Sequence, residues 1–238
     1  MLDTLPLPTF DVPRAGRALG ALLRNPDDLP QVFTLIESMS GTAPHRLYLG
    51  MKRRPTGARL LREQPDIVPM LADRDALRAL PDGSLGRAYL AFVVSEGISP
   101  QGIRDASIVG EAGPRRTKAF QYVHQRMRDT HDLWHAATGY KGDVVGELAL
   151  LAFTLAQNWN SAVAVIILGG LLKGLGGGEL GVVVDGYRRG RAAEWFPAQD
   201  WESLLALPLD EVRRRLKVGA PRAYTPVRTA QLRAEGLL

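Results

Sequence analysis

An all-α fold, a single helical domain, is what this sequence predicts. Two observations carry that expectation. Apolar residues recur at helical spacing almost throughout, in Leu- and Ala-rich stretches cut by Pro, Gly and Asp, and clean period-two runs are few. The composition is that of an ordinary globular chain: 238 residues, 45% hydrophobic and 23% charged, long enough to bury a sizeable core as one domain over residues 1–238.

Taken in order, the spacing predicts helices over 14–23 and 29–38, joined by the turn Asn25-Pro26-Asp27-Asp28, in which Asp27 or Asp28 caps the second. Residues 41–54 are less clearly patterned. A turn is expected around 55–59. Pro65 then opens a further helix, Pro81-Asp82-Gly83 closes the next over 73–80, and another runs from Ser84 to about Ser95. Gly97 with Pro100, and later Gly113-Pro114, mark breaks. A long helix is expected over about 115–137. After it Gly139-Tyr140-Lys141-Gly142-Asp143 supplies a turn, with Asp143 as N-cap of a helix starting at Val144.

Residues 148–172 carry no charge, a run long enough to cross a bilayer. The polar cluster Gln157-Asn158-Trp159-Asn160-Ser161 in its middle would be costly in hydrocarbon, so the run divides into two core helices and no transmembrane span is expected. The glycines of 174–178 lack the preceding strand and following Lys-Ser/Thr of a phosphate loop and read as a flexible helix terminus. A helix over 181–191, a turn and two short helices over 200–217, and a loosely packed tail over 219–238 complete the chain.

Thirty basic against 25 acidic residues leave a net +5, an attraction toward anionic membrane surfaces or ligands. The basic residues are scattered and fit no nucleic-acid motif, so nucleic acid is not an expected partner. With no cysteine, disulfides, thiolate catalysis, iron–sulfur clusters and Cys-ligated zinc are excluded, and any metal must use nitrogen and oxygen ligands. The N-terminus has an early acid, two prolines and no apolar core segment, so no secretory signal peptide is expected, and the basic stretch after it lacks the serine richness of a transit peptide.

The run His131-Asp132-Leu133-Trp134-His135 carries the chemistry. On a helix two histidines four apart rise ~6 Å on one face, a spacing that lets both imidazoles reach one ion. Asp132 sits about 100° round, within reach of the same ion or of a histidine from behind. Glu147 starts the next helix beyond a tight connection and folds back toward the pair. The expected metal site therefore lies between two consecutive helices, with His131, Asp132, His135 and Glu147 as ligands and catalytic residues. Two histidines and carboxylate suit zinc or non-haem iron, and manganese or magnesium where carboxylates dominate. Asp132 stands where a zinc peptidase needs the longer Glu as its base, which argues against peptidase chemistry. On a continuous helix His124, Arg128, His131 and His135 share a face; His124 is read as polar surface and Arg128 either as an anchor for an anionic substrate group or as a solvated surface residue.

His131-Asp132-x-x-His135, eleven residues, then Glu147 resembles the signature of the coenzyme Q biosynthesis Coq-four family. Further blocks are similar in the expected order: the stretch 57–65, the stretch 80–89, Arg126-Met127-Arg128-Asp129-Thr130, Arg188-Arg189-Gly190-Arg191, Asp200-Trp201-Glu202 and the stretch 208–213. The resemblance covers about 14–218; Gln64 departs from the arginine expected there, and the missing targeting peptide suggests a bacterial-type member. It implies a metal held by His131, Asp132, His135 and Glu147, and oxidative decarboxylation at C1 of a polyprenylated benzoate ring. Other ubiquinone biosynthesis proteins are the implied partners, with a cytoplasmic place peripheral to the inner membrane. A non-catalytic scaffold that holds the lipid is the alternative. The helices over 148–172 are expected to line a groove for the prenyl tail or to serve as plain core, and the aromatics at 195, 196 and 201 to touch an interface or close the core. Gly169-Gly170 and Gly174 permit close helix packing, including between two copies of the chain.

Overall fold

In a computed structural model, which describes residues 10–110, 118–175, 178–236 and 238, helices follow one another with short connections and no strand occurs among the described residues. In the N-terminal half they are α1 (Val12–Arg24), α2 (Leu29–Met39), α3 (Ala43–Lys52), α4 (Pro55–Glu63), α5 (Val68–Ala72), α6 (Arg74–Ala79), α7 (Leu85–Glu96) and α8 (Pro100–Gly110). Then come α9 (Lys118–Asp129), α10 (His131–Thr138), α11 (Val144–Asn158), α12 (Ser161–Leu172), α13 (Leu180–Ala192), a 3-10 turn Phe196–Ala198, α14 (Trp201–Leu204), α15 (Leu209–Arg215) and α16 (Thr229–Ala234).

Local chemistry sets most boundaries where the spacing puts them. Asp73, Ser84 and Asp143 each accept backbone N–H bonds at the starts of α6, α7 and α11. Asp28 stands at the α2 N-cap without a side-chain bond; the Asp27 carboxylate accepts instead from Thr229 on α16. Two early boundaries differ from expectation. Pro55 begins α4 rather than a turn, since its fixed φ suits a first helical turn, and Arg54 before it is extended as proline requires. Left-handed Gln64 (φ 48°) ends α4, and α5 waits until Val68, with Pro69 in its first turn.

The long helix expected over 115–137 is two helices within its described part. Thr130 (φ −97°, ψ 0°) separates α9 from α10, and its hydroxyl donates back to the Arg126 carbonyl at 2.8 Å, competing with the regular ladder and bending the chain. Residues 115–117, and the break expected at Gly113-Pro114, lie outside the described residues, as do two glycines of the 174–178 run.

The uncharged stretch divides as its polar cluster predicts. Trp159 turns left-handed (φ 52°), and Asn160 accepts from Ala162 N–H to start α12. The cluster is satisfied by distant partners: Gln157 donates to Gly190 O at 2.6 Å and accepts from Phe196 N–H at 2.9 Å, while Asn160 donates to Ser40 at 3.0 Å. No described helix is long and apolar enough to cross a membrane. Helix α11 is core, burying Leu148, Leu150, Ala152 and Phe153. Helix α12 is buried on one side only, leaving Leu168 57% and Leu172 80% exposed. Phe196 and Trp201 close the core edge-on against Trp134 and one another, with ring centroids 5.2 Å apart in both pairs.

Glycines set the spacing of the central helices. A Cβ on Gly186 would come 2.2 Å from the Ala149 carbonyl oxygen, and one on Gly190 2.5 Å from that of Phe153, so α13 lies with its backbone on α11. Gly186→Ala is expected to destabilise by about 1–3 kcal/mol, as overpacking does, read as a lower urea midpoint at unchanged slope. Gly169 and Gly170 are used within the chain, against Leu19 and Leu148.

The segment after 218, expected to pack loosely, is held. Val227 and Leu232 are buried in the main core, and Val144 N–H donates to Val227 O at 2.9 Å. Two buried residues five apart with charged neighbours give no helical stripe, which hid the docking from the spacing.

Candidate metal centre

Helix α10 is short and nearly all buried, and left-handed Gly139 (φ 82°) closes it with its N–H on His135 O at 2.8 Å. Its last carbonyls are met by arginines: Arg213 Nε donates to Ala137 O at 2.9 Å and Arg189 to Thr138 O at 2.7 Å. Four residues on, the Asp143 carboxylate receives Val145 and Gly146 N–H, and its carbonyl accepts Glu147 N–H at 2.8 Å. Glu147 thus emerges from the first turn of α11 directly opposite the histidines.

The structure brings His131, His135 and Glu147 together, one ligand atom from each lying within 4.8 Å of the others. The two imidazoles meet edge-on with centroids 4.9 Å apart. His135 is buried; its Nδ1 donates to Tyr140 O at 3.0 Å, which leaves Nε2 toward Glu147 Oε1, 3.1 Å away. Despite that distance, Nε2 has no properly directed hydrogen bond. The ring of Phe92 covers one face of His135 at 4.7 Å and 14°. His131 and Glu147, with side chains 35% and 42% exposed, form the open side.

Asp132 lies outside the three-residue group. Its carboxylate, 6% exposed, is 3.2 Å from His131 Nδ1, where it orients the ring from behind. Arg128 is not brought over the group: it donates to Asp129 at 2.8 Å and to Ser107 at 2.7 Å, and its side chain is 9% exposed. Arg128 is engaged by these two partners, and Thr130 separates its helix from the one that carries the histidines.

Burial pushes the Glu147 carboxyl upward, but the charge and hydrogen-bonding reach of His135, and His131 beyond it, hold it below the usual carboxylate range. Burial alone would lower His135; Glu147, Asp132 and the Tyr140 carbonyl together raise it. Tyr89, whose buried hydroxyl has no partner, is pushed well above the ordinary phenol range by burial and by the charge of Asp132, so it stays protonated. The sequence motifs do not single out Tyr140, Phe92, Arg189 and Arg213 as supports of this centre, although Arg189 and Arg213 each fall within a family-like block.

A model of the family described as coenzyme Q (ubiquinone) biosynthesis protein Coq4 matches residues 12–222. The mitochondrial ubiquinone biosynthesis protein coq4 of Aspergillus clavatus is 30% identical over 212 residues, covering 87% of this chain and 72% of the relative. The mitochondrial COQ4 homolog of Danio rerio is 30% identical over 227 residues, covering 90% and 80%. A crystal structure of a Nostoc punctiforme protein assigned to ubiquinone biosynthesis shares the fold, with a TM-score of 0.64 at 22% identity over 89% of this chain and 100% of that one. With the family model running over nearly its whole described length, this chain belongs to the Coq4 family of ubiquinone biosynthesis proteins.

Proposed function

We propose that this family member acts in ubiquinone biosynthesis as a metal-dependent oxidative decarboxylase, replacing the C1 carboxylate of a polyprenylated benzoate ring by hydroxyl. The carrying observation is the convergence of one ligand atom each from His131, His135 and Glu147 within 4.8 Å, with the buried His135 Nε2 3.1 Å from Glu147 Oε1 and no properly directed hydrogen bond between them. A buried polar atom left so is costly, and a cation shared by the three side chains removes that cost. A redox-active divalent ion such as iron, held by two imidazoles and one carboxylate, supplies open positions and electron-transfer chemistry toward dioxygen. In net terms the ring acid, dioxygen, two electrons and two protons give the ring hydroxyl, carbon dioxide and water, so an external two-electron donor is required.

The chain's own groups have definite tasks. Tyr140 O keeps the His135 proton on Nδ1, and Asp132 does the same for His131. Glu147 stays ionised, and Phe92 shields His135 from water on one face. The open side at His131 and Glu147 admits the ring. Leu168 and Leu172 on α12, with Leu180 and Val184 on α13, are exposed apolar side chains suited to the prenyl tail or to a membrane surface holding it. That exposure also favours the second reading, a lipid-holding scaffold without catalysis that gathers other ubiquinone biosynthesis proteins.

Protein purified without oxygen or chelator is expected to contain stoichiometric iron and, given isotopically labelled dioxygen and a reductant, to place label in the new hydroxyl. His131→Ala is expected to lose both. Wild-type turnover by a metal-free His131→Ala protein would sink the enzyme reading. Zinc in place of iron would point to a structural or hydrolytic centre, and lipid retention without turnover to the scaffold.

A further inference from the structure

The connection between the two ligand-bearing helices consists of residues 139–143, and a later stretch of chain touches four of them directly and the fifth, Tyr140, through Asp185 on α13. Pro221 lies so close to Gly139 that a Cβ there would sit 3.1 Å from its ring. Tyr140 donates its hydroxyl to Asp185 at 3.2 Å, and the same carboxylate oxygen accepts Arg222 N–H at 3.4 Å. The Tyr224 hydroxyl accepts Lys141 N–H at 3.1 Å and donates to Asp143 at 2.9 Å. Arg228 reaches Gly142 O at 3.3 Å and grips Glu96 on α7 with two bonds of 2.5 and 3.1 Å. Val227 exchanges two bonds with the start of α11, donating to the Asp143 carboxylate at 3.0 Å and accepting from Val144 at 2.9 Å.

These contacts hold the two residues of the connection that matter for the centre, Asp143 directly and Tyr140 through Asp185. Tyr140 O orients His135, and Asp143 caps the turn that presents Glu147. A Cβ on Gly146 in that turn would come 2.1 Å from the Lys141 carbonyl oxygen and 2.6 Å from the Tyr224 oxygen, so both the connection and this hydroxyl are fitted against the backbone one residue before Glu147. Most of the stretch, from 223 onward, lies beyond the residues the family model matches.

We propose that residues 221–228 form a strap that positions the metal centre, with Tyr224 as its positioning residue, resting on the reading of His131, His135 and Glu147 as ligands. The strap sets the separation between His135 and Glu147 by fixing the connection between their helices, and it does so from outside the ligand set.

The test uses the full chain and Co2+ as probe, titrated against a competing chelator and followed by its visible absorption. Tyr224→Phe keeps the partly buried ring and removes the two hydroxyl bonds; a fall in Co2+ affinity of about 10–100-fold is expected, the usual effect of losing an outer partner of a metal site, with an altered absorption band. Arg228→Ala, at a half-exposed side chain, should move affinity in the same direction and guards against a Tyr224→Phe protein that fails to fold. Wild-type affinity and spectrum in folded variants would overturn the strap, even if their urea midpoints fall, because a merely structural role lowers stability without changing the folded site. A wild-type chain that takes up no Co2+ would overturn the metal reading itself, and the strap with it.

Discussion

Replacing Arg126 by methionine is expected to lower stability by about 3–5 kcal/mol, the range found when one partner of a buried ion pair is removed. Arg126, with a side chain 2% exposed, reaches from α9 to Glu202 on α14 through two hydrogen bonds, of 2.5 and 2.7 Å, and to Gln199 O at 3.2 Å. Its own backbone carbonyl takes the Thr130 hydroxyl at the bend before α10. The cost comes chiefly from Glu202, 17% exposed, which the variant leaves charged and unpaired. In thermal unfolding this corresponds to a fall of roughly 6–20 °C, taking about 2–4 °C per kcal/mol for a chain of this size.

The pH dependence gives a sharper check. Burial raises the Glu202 carboxyl, but the Arg126 hydrogen bonds and charge overcome this and hold it below the usual range. A depressed carboxylate stabilises the folded state fully above its unfolded value of about 4.3 and loses that contribution as pH falls through the folded value. The gap between wild type and Arg126→Met should therefore be widest near neutrality and close in acid. A gap that persists unchanged at low pH would mean that lost packing, not the ion pair, sets the cost. Arg126→Met combined with Glu202→Leu should recover part of the loss, since no charge is then stranded.

How far such features are legible in the sequence depends on which atoms do the work. Helix α11 could be bounded closely because side chains make its ends: Asp143 opens it, and the amides at 158 and 160 close it and restart the chain. Glu147 could be placed near the histidines for the same reason, a capped first turn after a tight connection. The bend at Thr130 was not legible, because a threonine inside an apolar-periodic run looks like any helical residue until its hydroxyl turns back on the ladder. Equally hidden were the partners of Arg128, since its bonds to Asp129 and to Ser107 on α8 belong to the fold. The support from Tyr140 was hidden more deeply, since a backbone carbonyl is the same in every residue type and only the fold aims it. Asp132 was placed beside the histidines by its position in the motif, whereas its distance to His131 Nδ1, the fact that bears on its task, is set by side-chain rotamers that the spacing does not give.

His135→Ala is expected to abolish metal uptake, with an affinity loss beyond the ~100-fold typical of an outer partner. His131 and Glu147 alone would remain, on the open side of the group, one imidazole and one carboxylate. The variant also opens a space under Phe92, so lower stability by itself would not diagnose the site. Glu147→Gln separates the two effects. It keeps the shape of a side chain already 42% exposed, so packing is little disturbed, yet it removes the only charged ligand of the three-residue group. Metal content and Co2+ absorption should therefore fall in both variants, while the urea midpoint of the metal-free protein falls appreciably only in His135→Ala. Full metal content in Glu147→Gln would place the ion elsewhere. Loss in Glu147→Gln with retention in His135→Ala would leave the carboxylate as ligand and reduce the buried imidazole to a core residue, against the geometry that puts its unpartnered Nε2 3.1 Å from that carboxylate.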